Sequence, residues 1–309
     1  MSLSQRITRS VQSVLLGKPE AVRLAVACLL GEGHLLIEDI PGVGKTTLAL
    51  ALARAIGGSF QRIQFTSDLM PSDLLGVSVY DVSTQAFVFK PGPVFHNVVL
   101  ADEINRASPK TQSALLEAMQ ERQVSIDNRT HPLPRPFFVI ATQNPHEHHG
   151  TFPLPESQLD RFMMRLSLGY PSAETEASIL RGDATVPKVS SLTAVGSAEE
   201  VAAEVERIRA VAVDPSLDRY MVDLARATRE SALIDLGLSP RGTLALRRAS
   251  QAVAAGEDRA YVVPDDIKAV SVAVLAHRLT LKTSTFNGHS AQAADDVVRE
   301  IVGQVPIPT

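Results

Sequence analysis

The sequence has no tryptophan and few aromatic residues of any kind, with 10 phenylalanines and 4 tyrosines in 309 residues. Proteins that bind single-stranded nucleic acid without sequence preference stack the bases on exposed aromatic rings. The charge balance agrees with this, because 30 basic residues stand against 34 acidic residues and the formal net charge is −4. A chain without a positive field is a poor match for nucleic acid or for an anionic membrane surface.

The sequence also lacks long apolar runs and cysteine pairs. No stretch reaches the ~18 uninterrupted apolar residues of a membrane span, and the opening residues, MSLSQRITRS, lack the apolar segment of a secretory signal. We therefore predict no membrane span and a cytoplasmic location. The single cysteine, Cys28, lies in an apolar run and has no partner for a disulfide, so we expect a buried, unreactive thiol.

The chain does contain enough apolar surface for folded domains, since 45% of its residues are hydrophobic. Residues 1–170 alternate short apolar runs with helix-like segments, which predicts an α/β layer with a parallel sheet. The expected strands cover residues 34–38, 60–65, 98–102, 137–142 and 164–168, each nearly continuously apolar or β-branched. Two hairpins are expected between these strands, within residues 66–95 and 123–136.

The second half of the chain has a different character. Residues 171–197 are predicted to be a linker or crossover, because the segment from residue 182 onwards has little periodicity and many small residues. Residues 198–309 are predicted to form a small all-helical domain, with helices at 198–211, 216–230, 240–255 and 264–279. Pro240 and Pro264 fit the first turn of two of these helices. The C-terminal residues show no clear pattern.

A glycine-rich turn between the first predicted strand and a helix has the context of a phosphate-binding loop. Lys45 is placed to reach the β- and γ-phosphates, and Thr46 to offer its hydroxyl to Mg²⁺. The strict pattern G-x-x-x-x-G-K-[ST] departs at its first glycine, where this chain has Asp39. A carboxylate facing phosphates would repel them, so we expect Asp39 to point away or to cap the turn. The residues predicted to hold ATP or ADP are Pro41, Gly42, Val43, Gly44, Lys45, Thr46 and Thr47.

A second motif completes such a site. The apolar strand at 98–102 ends in Asp102, followed by Glu103. Asp102 is predicted, together with Thr46, to hold Mg²⁺, and Glu103 to orient and polarise the attacking water. An Asp-Glu pair alone is more often a helix cap than a metal site. Its position after the glycine-rich loop, with one strand between, favours the functional interpretation.

Several further segments resemble the MoxR family of AAA+ ATPases. They are DEINRA at 102–107, KTQSALLEAM at 110–119, ATQNP at 141–145, FPLPE at 152–156, LDRF at 159–162 and Ser-Pro-Arg at 239–241. The resemblance extends over about residues 14–279. It implies an AAA+ P-loop core, with a helix-2 insert and a pre-sensor-1 hairpin, followed by a helical lid. It also implies a homo-oligomer, in particular a hexameric ring, that remodels a protein client alongside a von Willebrand A-domain partner.

The resemblance assigns roles to three more residues. Asn144 would be the sensor amide that hydrogen-bonds the γ-phosphate or the attacking water. Arg161 would be an arginine finger supplied to a neighbouring subunit, a role that suits a guanidinium facing a transferring phosphoryl group. Arg241 would be the second sensor on the lid. The alternatives are an ion pair of Arg161 with Asp160 or Glu156, and a solvated helix-end arginine for Arg241.

Together these features predict a Mg²⁺-dependent ATPase that acts on protein complexes. A nucleic-acid motor resembling the MCM helicases is disfavoured by the charge and by the absence of an added DNA-binding domain. A metal-chelatase motor subunit and a nucleotide-binding scaffold without turnover remain open. The histidines of the segment 146–149 (HEHH) are interpreted as a solvated polar loop rather than as a metal site.

Overall fold

The computed structural model describes residues 1–144, 150–181, 188–282 and 291–308. The helices are α1 (Leu3–Gln12), α2 (Pro19–Leu30), α3 (Lys45–Ala55), α4 (Pro71–Leu75), α5 (Pro109–Glu121), α6 (Glu156–Leu159), α7 (Ala173–Arg181), α8 (Ala198–Arg209), α9 (Pro215–Glu230), α10 (Pro240–Gly256), α11 (Pro264–Leu275) and α12 (Ala291–Gln304). The strands are β1 (Leu35–Glu38), β2 (Phe60–Gln64), β3 (Gly76–Asp81), β4 (Ala86–Pro91), β5 (Val98–Asp102), β6 (Gln123–Ile126), β7 (Arg129–Pro132), β8 (Phe138–Gln143), β9 (Met164–Leu166), β10 (Ile234–Leu236) and β11 (Thr280–Leu281).

The first domain is built on a five-stranded sheet in the order β2-β5-β8-β1-β9. All neighbouring pairs in this sheet run parallel. The strands lie within one or two residues of the segments predicted from their apolar runs, so the α/β prediction is confirmed. Because the strands are parallel, the chain segments that follow β1, β5 and β8 meet at one edge of the sheet, where open α/β sheets bind ligands.

Side-chain alternation along the strands explains how both faces of the sheet are covered. Leu35 and Ile37 of β1 pack into a hydrophobic cluster with α1, α2, α3 and the C-terminal helices. Leu36, between them, packs into a second cluster on the opposite face with Leu115 and Leu116 of α5. The first cluster is continuous from the sheet into the C-terminal domain, so the two domains share apolar packing.

Both predicted hairpins are present. The antiparallel strands β3 and β4 form the first one, and β6 and β7 form the second. Asp127 and Asn128 turn the second hairpin with φ values of 51° and 59°, the left-handed conformation that two-residue hairpin turns require. The hairpins touch each other, since the ring of Phe89 stacks on that of His131 with centroids 3.9 Å apart.

The C-terminal domain consists of α8 to α12 with one small addition. The helices α8, α9, α10 and α11 follow the predicted segments, and the antiparallel strands β10 and β11 add a short ribbon to the expected all-helical architecture. The segment 171–197, predicted as a linker or crossover, contains helix α7 and is therefore regular structure in part. Helix α12 lies where the sequence showed no pattern. Within the described ranges, no helix has both the length and the apolar character that crossing a bilayer requires.

Candidate nucleotide-binding site

The glycine-rich turn connects β1 to the N-terminus of α3, as predicted. Gly42 and Gly44 have φ values of 87° and 102°, which glycine adopts without steric cost. The N-cap residue of α3 is Gly44, which has no side chain to cap the helix, so the N-terminal end of α3 begins directly at the turn. The ammonium group of Lys45 donates a hydrogen bond to the backbone carbonyl of Asp39 at 2.7 Å and closes the loop. The turn therefore presents main-chain N–H groups and one cation on its inner side.

Asp39, which stands where the usual pattern has glycine, is buried and points away from the turn. Its Oδ2 accepts hydrogen bonds from the backbone N–H groups of Leu168 at 2.5 Å and Gly169 at 2.7 Å. Ser167 donates its hydroxyl to the same oxygen at 3.1 Å, and Oδ1 accepts from the N–H of Ile40 at 2.9 Å. The carboxylate thus ties the start of the loop to the chain that follows β9.

The acid pair follows β5 at the same edge of the sheet. The hydroxyl of Thr142 on β8 donates to Oδ1 of Asp102 at 2.6 Å, and the backbone N–H of Glu103 donates to that hydroxyl oxygen at 2.9 Å. Glu103 has a φ of 57°, an uncommon conformation for a residue other than glycine. Thr142 therefore fixes the position of both acids.

Two residues of β2 complete the acid pair, and sequence reasoning missed them. Arg62 contacts Oδ2 of Asp102 through Nη2 at 2.6 Å and through Nε at 3.1 Å. Gln64 donates from Nε2 to Oε2 of Glu103 at 2.8 Å, and Arg106 forms an ion pair with the same oxygen at 2.9 Å. The available signal was the alternation of polar residues at 62 and 64, which places them on one face of a strand beside β5.

These groups line one cleft of about 350 Å³. Its walls contain Pro41, Gly42, Gly44, Lys45, Thr46, Thr47, Arg62, Asp102, Glu103, Thr142 and Asn144. We call this cleft the loop pocket. Of the predicted nucleotide-binding residues only Val43 is not part of its wall, and that side chain packs against the apolar core. Main-chain N–H groups and an ammonium group suit phosphates, and carboxylate and hydroxyl oxygens suit Mg²⁺, so the donor set fits both.

Arg161 and Arg241 line a different cavity. This cavity, of about 380 Å³, is lined by the arginines Arg122, Arg161, Arg209, Arg241, Arg248 and Arg278, and by the acids Glu32 and Asp160. We call it the arginine pocket. It shares no wall residue with the loop pocket.

The two pockets lie at opposite ends of the central strands. The arginine pocket includes Gly33 and His34, which precede β1, and Arg161, which precedes β9. The loop pocket follows the C-terminal end of β1, roughly 15 Å further along at about 3.3 Å per residue. The structure therefore does not bring Arg161 and Arg241 together with the Lys45 of the same chain.

Three of the arginines in the arginine pocket have acidic partners. Glu32 accepts from Arg122 at 2.5 Å and is also paired with Arg209, which joins the first domain to α8. Arg278, almost fully buried, contacts Asp160 at 2.8 Å. Among the described residues Arg161 forms no ion pair with Asp160 or with Glu156, so neither alternative pairing is observed.

Three other arginines of this pocket have no such partner. In the described part of the chain, no carboxylate lies within ion-pair distance of Arg161, Arg241 or Arg248. Burial, reinforced by the charges of Arg209 and other neighbouring arginines, lowers the pKa of Arg248. Among the described residues, the pocket thus contains more arginines than carboxylates.

Burial favours the neutral form of two titratable groups outside the loop pocket. Burial lowers the pKa of His34 to about 4, and this neutral ring accepts a hydrogen bond from the N–H of Val139 at 3.0 Å. Burial raises the pKa of Cys28, as expected for an unreactive thiol. Across the ranges that the structure describes, no three His, Cys, Asp or Glu side chains form a metal cluster. The predicted polar loop at 146–149 lies outside the described residues.

The fold and the loop pocket are those of an AAA+ ATPase, and comparison with known proteins agrees. The model of the ATPase family associated with various cellular activities (AAA) matches residues 34–164, and the model of the AAA lid domain matches residues 226–301. A crystal structure of a candidate ATPase from Cytophaga hutchinsonii superposes with a TM-score of 0.88 at 37% sequence identity, covering 99% of this chain and 95% of that one.

Relatives in sequence narrow the class to a family. Chaperone MoxR1 of Mycobacterium tuberculosis is 40% identical over 96% of this chain and 79% of its own length. Protein MoxR of Methylorubrum extorquens is 33% identical over 98% and 94%, and the uncharacterized protein YeaC of Bacillus subtilis is 47% identical over 96% and 92%. The chain therefore belongs to the MoxR family of AAA+ ATPases.

Proposed function

We propose that this chain hydrolyses ATP with Mg²⁺ in the loop pocket and does so as part of a ring of identical copies. The observation that supports the proposal best is the convergence of the glycine-rich turn, Lys45 and the Asp102-Glu103 pair on one cleft. A nucleotide-binding scaffold would need the turn alone. An acid placed beside the turn to polarise water is what hydrolysis adds.

Each residue of the loop pocket has a role that its chemistry supports. The N–H groups of the turn and the ammonium of Lys45 bind the phosphates. Thr46 and Asp102 would hold Mg²⁺, which would supply positive charge beside the phosphates. Glu103 accepts the proton of the attacking water, and the amide of Asn144 orients that water or the γ-phosphate. Thr142 keeps Asp102 and Glu103 in register through its hydroxyl.

The arginine pocket supports the proposal that the active unit contains several copies. Arg161 and Arg241 lie at the end of the sheet away from the Lys45 of their own chain, which supports the proposal that they act on the nucleotide of a neighbouring copy. A contact between the front of one copy and the back of the next is heterologous, and repeated contacts of this kind form a ring when the rotation between copies closes. We propose a hexamer, following the family resemblance.

The client and partner follow from the family. We propose that ATP turnover drives chaperone-like remodelling or activation of a protein complex, together with a von Willebrand A-domain partner. One relative is named a chaperone, which supports the chaperone-like part of this proposal. The net charge of −4 and the small aromatic content favour a protein over a nucleic-acid client.

Two substitutions test the chemistry. Glu103→Gln removes the base but keeps the shape, so turnover is expected to fall by about 10²- to 10⁴-fold while ATP binding measured by calorimetry persists. Lys45→Ala is expected to weaken binding itself. Glu117→Gln, on the exposed face of α5, is the matched control and should change neither. Normal turnover by the Glu103→Gln protein would remove Glu103 from its proposed role.

A further inference from the structure

The contact between Arg62 and Asp102 places a fixed cation at one of the two residues proposed to hold Mg²⁺. The side chain of Asp102 is 14% exposed, and both of its oxygens are engaged. Oδ1 accepts from the Thr142 hydroxyl at 2.6 Å, and Oδ2 accepts from Nη2 of Arg62 at 2.6 Å and from its Nε at 3.1 Å. The guanidinium of Arg62 therefore already supplies, at Oδ2, the positive charge that a metal ion would bring.

The surroundings of Arg62 show that this contact is built into the strand and is able to open. Arg62 and Gln64 point to the same side of β2, and Gln64 pairs in register with Asp102 of β5. Nη2 of Arg62 also donates to Oε1 of Gln64 at 3.2 Å, and Gln64 in turn donates to Glu103. The Arg62 side chain is 50% exposed, so the guanidinium has solvent to move into when it leaves Asp102.

We propose that Arg62 is a resident counter-ion of Asp102 that competes with Mg²⁺ and so sets how strongly nucleotide binding depends on the metal. The proposal rests on the proposed function, because it takes the loop pocket to hold a Mg²⁺-nucleotide complex. Arg62 acts through Asp102 and is a positioning residue. When Arg62 lets go of Oδ2 it also loosens its bond to Gln64, so metal binding changes the contacts of Glu103 as well.

Competition predicts a specific thermodynamic signature. The dissociation constant for ADP is measured by calorimetry with excess EDTA and again with saturating Mg²⁺. The EDTA value divided by the Mg²⁺ value gives the coupling between metal and nucleotide. Arg62→Gln removes the competitor, so this ratio is expected to rise about twofold to fivefold, the range that a half-exposed ion pair sustains. Arg62→Lys keeps the charge but loses the fork that reaches Oδ2 twice, and should give an intermediate ratio.

The controls separate this idea from a general effect of charge and from the proposed function. Arg219→Gln makes the same charge change on the exposed surface of α9, where Arg219 pairs with Asp223, and should leave the ratio unchanged. In an Asp102→Asn background, Arg62→Gln should no longer alter the ratio, because the shared partner is gone.

The outcomes are distinct. A wild-type chain that binds no ADP under either condition would contradict the proposed function itself. A wild-type chain that binds ADP, together with an Arg62→Gln protein whose ratio is unchanged or lower, would overturn the role of Arg62 alone. A lower ratio would mean that Arg62 assists the metal. Since the ratio compares one protein with itself, a partly unfolded variant changes the active fraction and not the coupling.

Discussion

The loop pocket and the arginine pocket lie at opposite ends of one sheet and differ in how their charges are satisfied. In the loop pocket, Asp102 is paired with Arg62 and Glu103 with Arg106, so the acids have cationic partners in their own chain. In the arginine pocket, six arginines face two carboxylates. Both acids of the loop pocket thus have an arginine partner, whereas the arginine pocket contains more arginines than carboxylates.

This difference indicates that the arginine pocket is completed by an anion from another molecule. Unpaired arginines that crowd one another cost free energy in an isolated chain, and an anion brought by another molecule removes that cost. In the proposed ring, a nucleotide in the loop pocket of a neighbouring copy would supply such an anion. We therefore propose that the two pockets are halves of one site that is completed between copies.

The largest expected effect comes from separating the two halves. Arg161→Ala and Lys45→Ala are each expected to reduce turnover by about 10³-fold or more, because one removes the proposed arginine finger and the other the proposed phosphate ligand. Co-expressed in equal amounts, the two variants form some interfaces that join an intact loop pocket to an intact arginine pocket. At random these are about a quarter of all interfaces, so turnover should recover to about that share of the wild-type rate.

One outcome of the mixing experiment would contradict the proposal that Arg161 acts on a neighbouring copy. If both residues acted within one chain, every copy would stay defective and mixing would restore nothing. A matched control uses Arg299→Gln in place of Arg161→Ala, since Arg299 lies on the exposed surface of α12 and pairs with Asp296. That variant alone should turn over ATP at the wild-type rate.

Most of the loop pocket could be predicted because its chemistry is local in sequence. The turn, Lys45 and Thr46 follow one strand within ten residues, and the acids end another strand, so motif and context suffice. Arg62 and Gln64 were missed because their role depends on which strand lies beside β5. A strand order is a tertiary property, and alternation within β2 shows only that the two residues share a face.

The position of the arginine pocket could not be predicted from the sequence, for a related reason. The family resemblance marks Arg161 and Arg241 but does not say at which end of the sheet they lie. That position depends on how the C-terminal helices pack on the first domain, through an apolar cluster that spans both. Helix α12 was missed although its sequence carries a helix-start signal, since Ser290, a residue type preferred before a helix, directly precedes Ala291.

The next largest effect concerns stability. It tests how strongly Asp39 anchors the loop pocket to the chain that follows β9. Asp39→Asn puts an amide NH₂ group where the N–H groups of Leu168 and Gly169 donate, so donors face donors. We expect the free energy of unfolding in urea to fall by about 3 kcal/mol. Asp73→Asn, at an exposed helix N-terminus where the carboxylate accepts from Met70, is the matched change and should cost about 0.5–1 kcal/mol. Equal losses would show that Asp39 does not anchor the loop.

The smallest effect is on the free energy of unfolding, which we expect to change in opposite directions when an arginine is removed from each pocket. Arg62→Gln removes an arginine that has an acidic partner, and should lower the free energy of unfolding by about 0.5 kcal/mol. Arg248 has no carboxylate within ion-pair distance among the described residues, and burial and its arginine neighbours lower its pKa. Its charged form is therefore disfavoured in the folded chain. Arg248→Gln should raise the free energy of unfolding, again by about 0.5 kcal/mol after allowance for solvent screening.

Salt decides whether this opposite sign is electrostatic. The Debye length shrinks from about 10 Å at 0.1 M salt to about 3 Å at 1 M, so the repulsion of Arg248 by Arg209 and other arginines is screened at high salt, whereas the cost of burying Arg248 is not. Urea unfolding of a monomeric sample should therefore show the stabilising effect of Arg248→Gln at low salt and a smaller one at 1 M. If Arg248→Gln destabilised the chain as Arg62→Gln is expected to do, then Arg248 would have favourable partners within its own chain. The arginine pocket would then need no anion from a neighbour, and the two pockets would not differ in how their charges are paired.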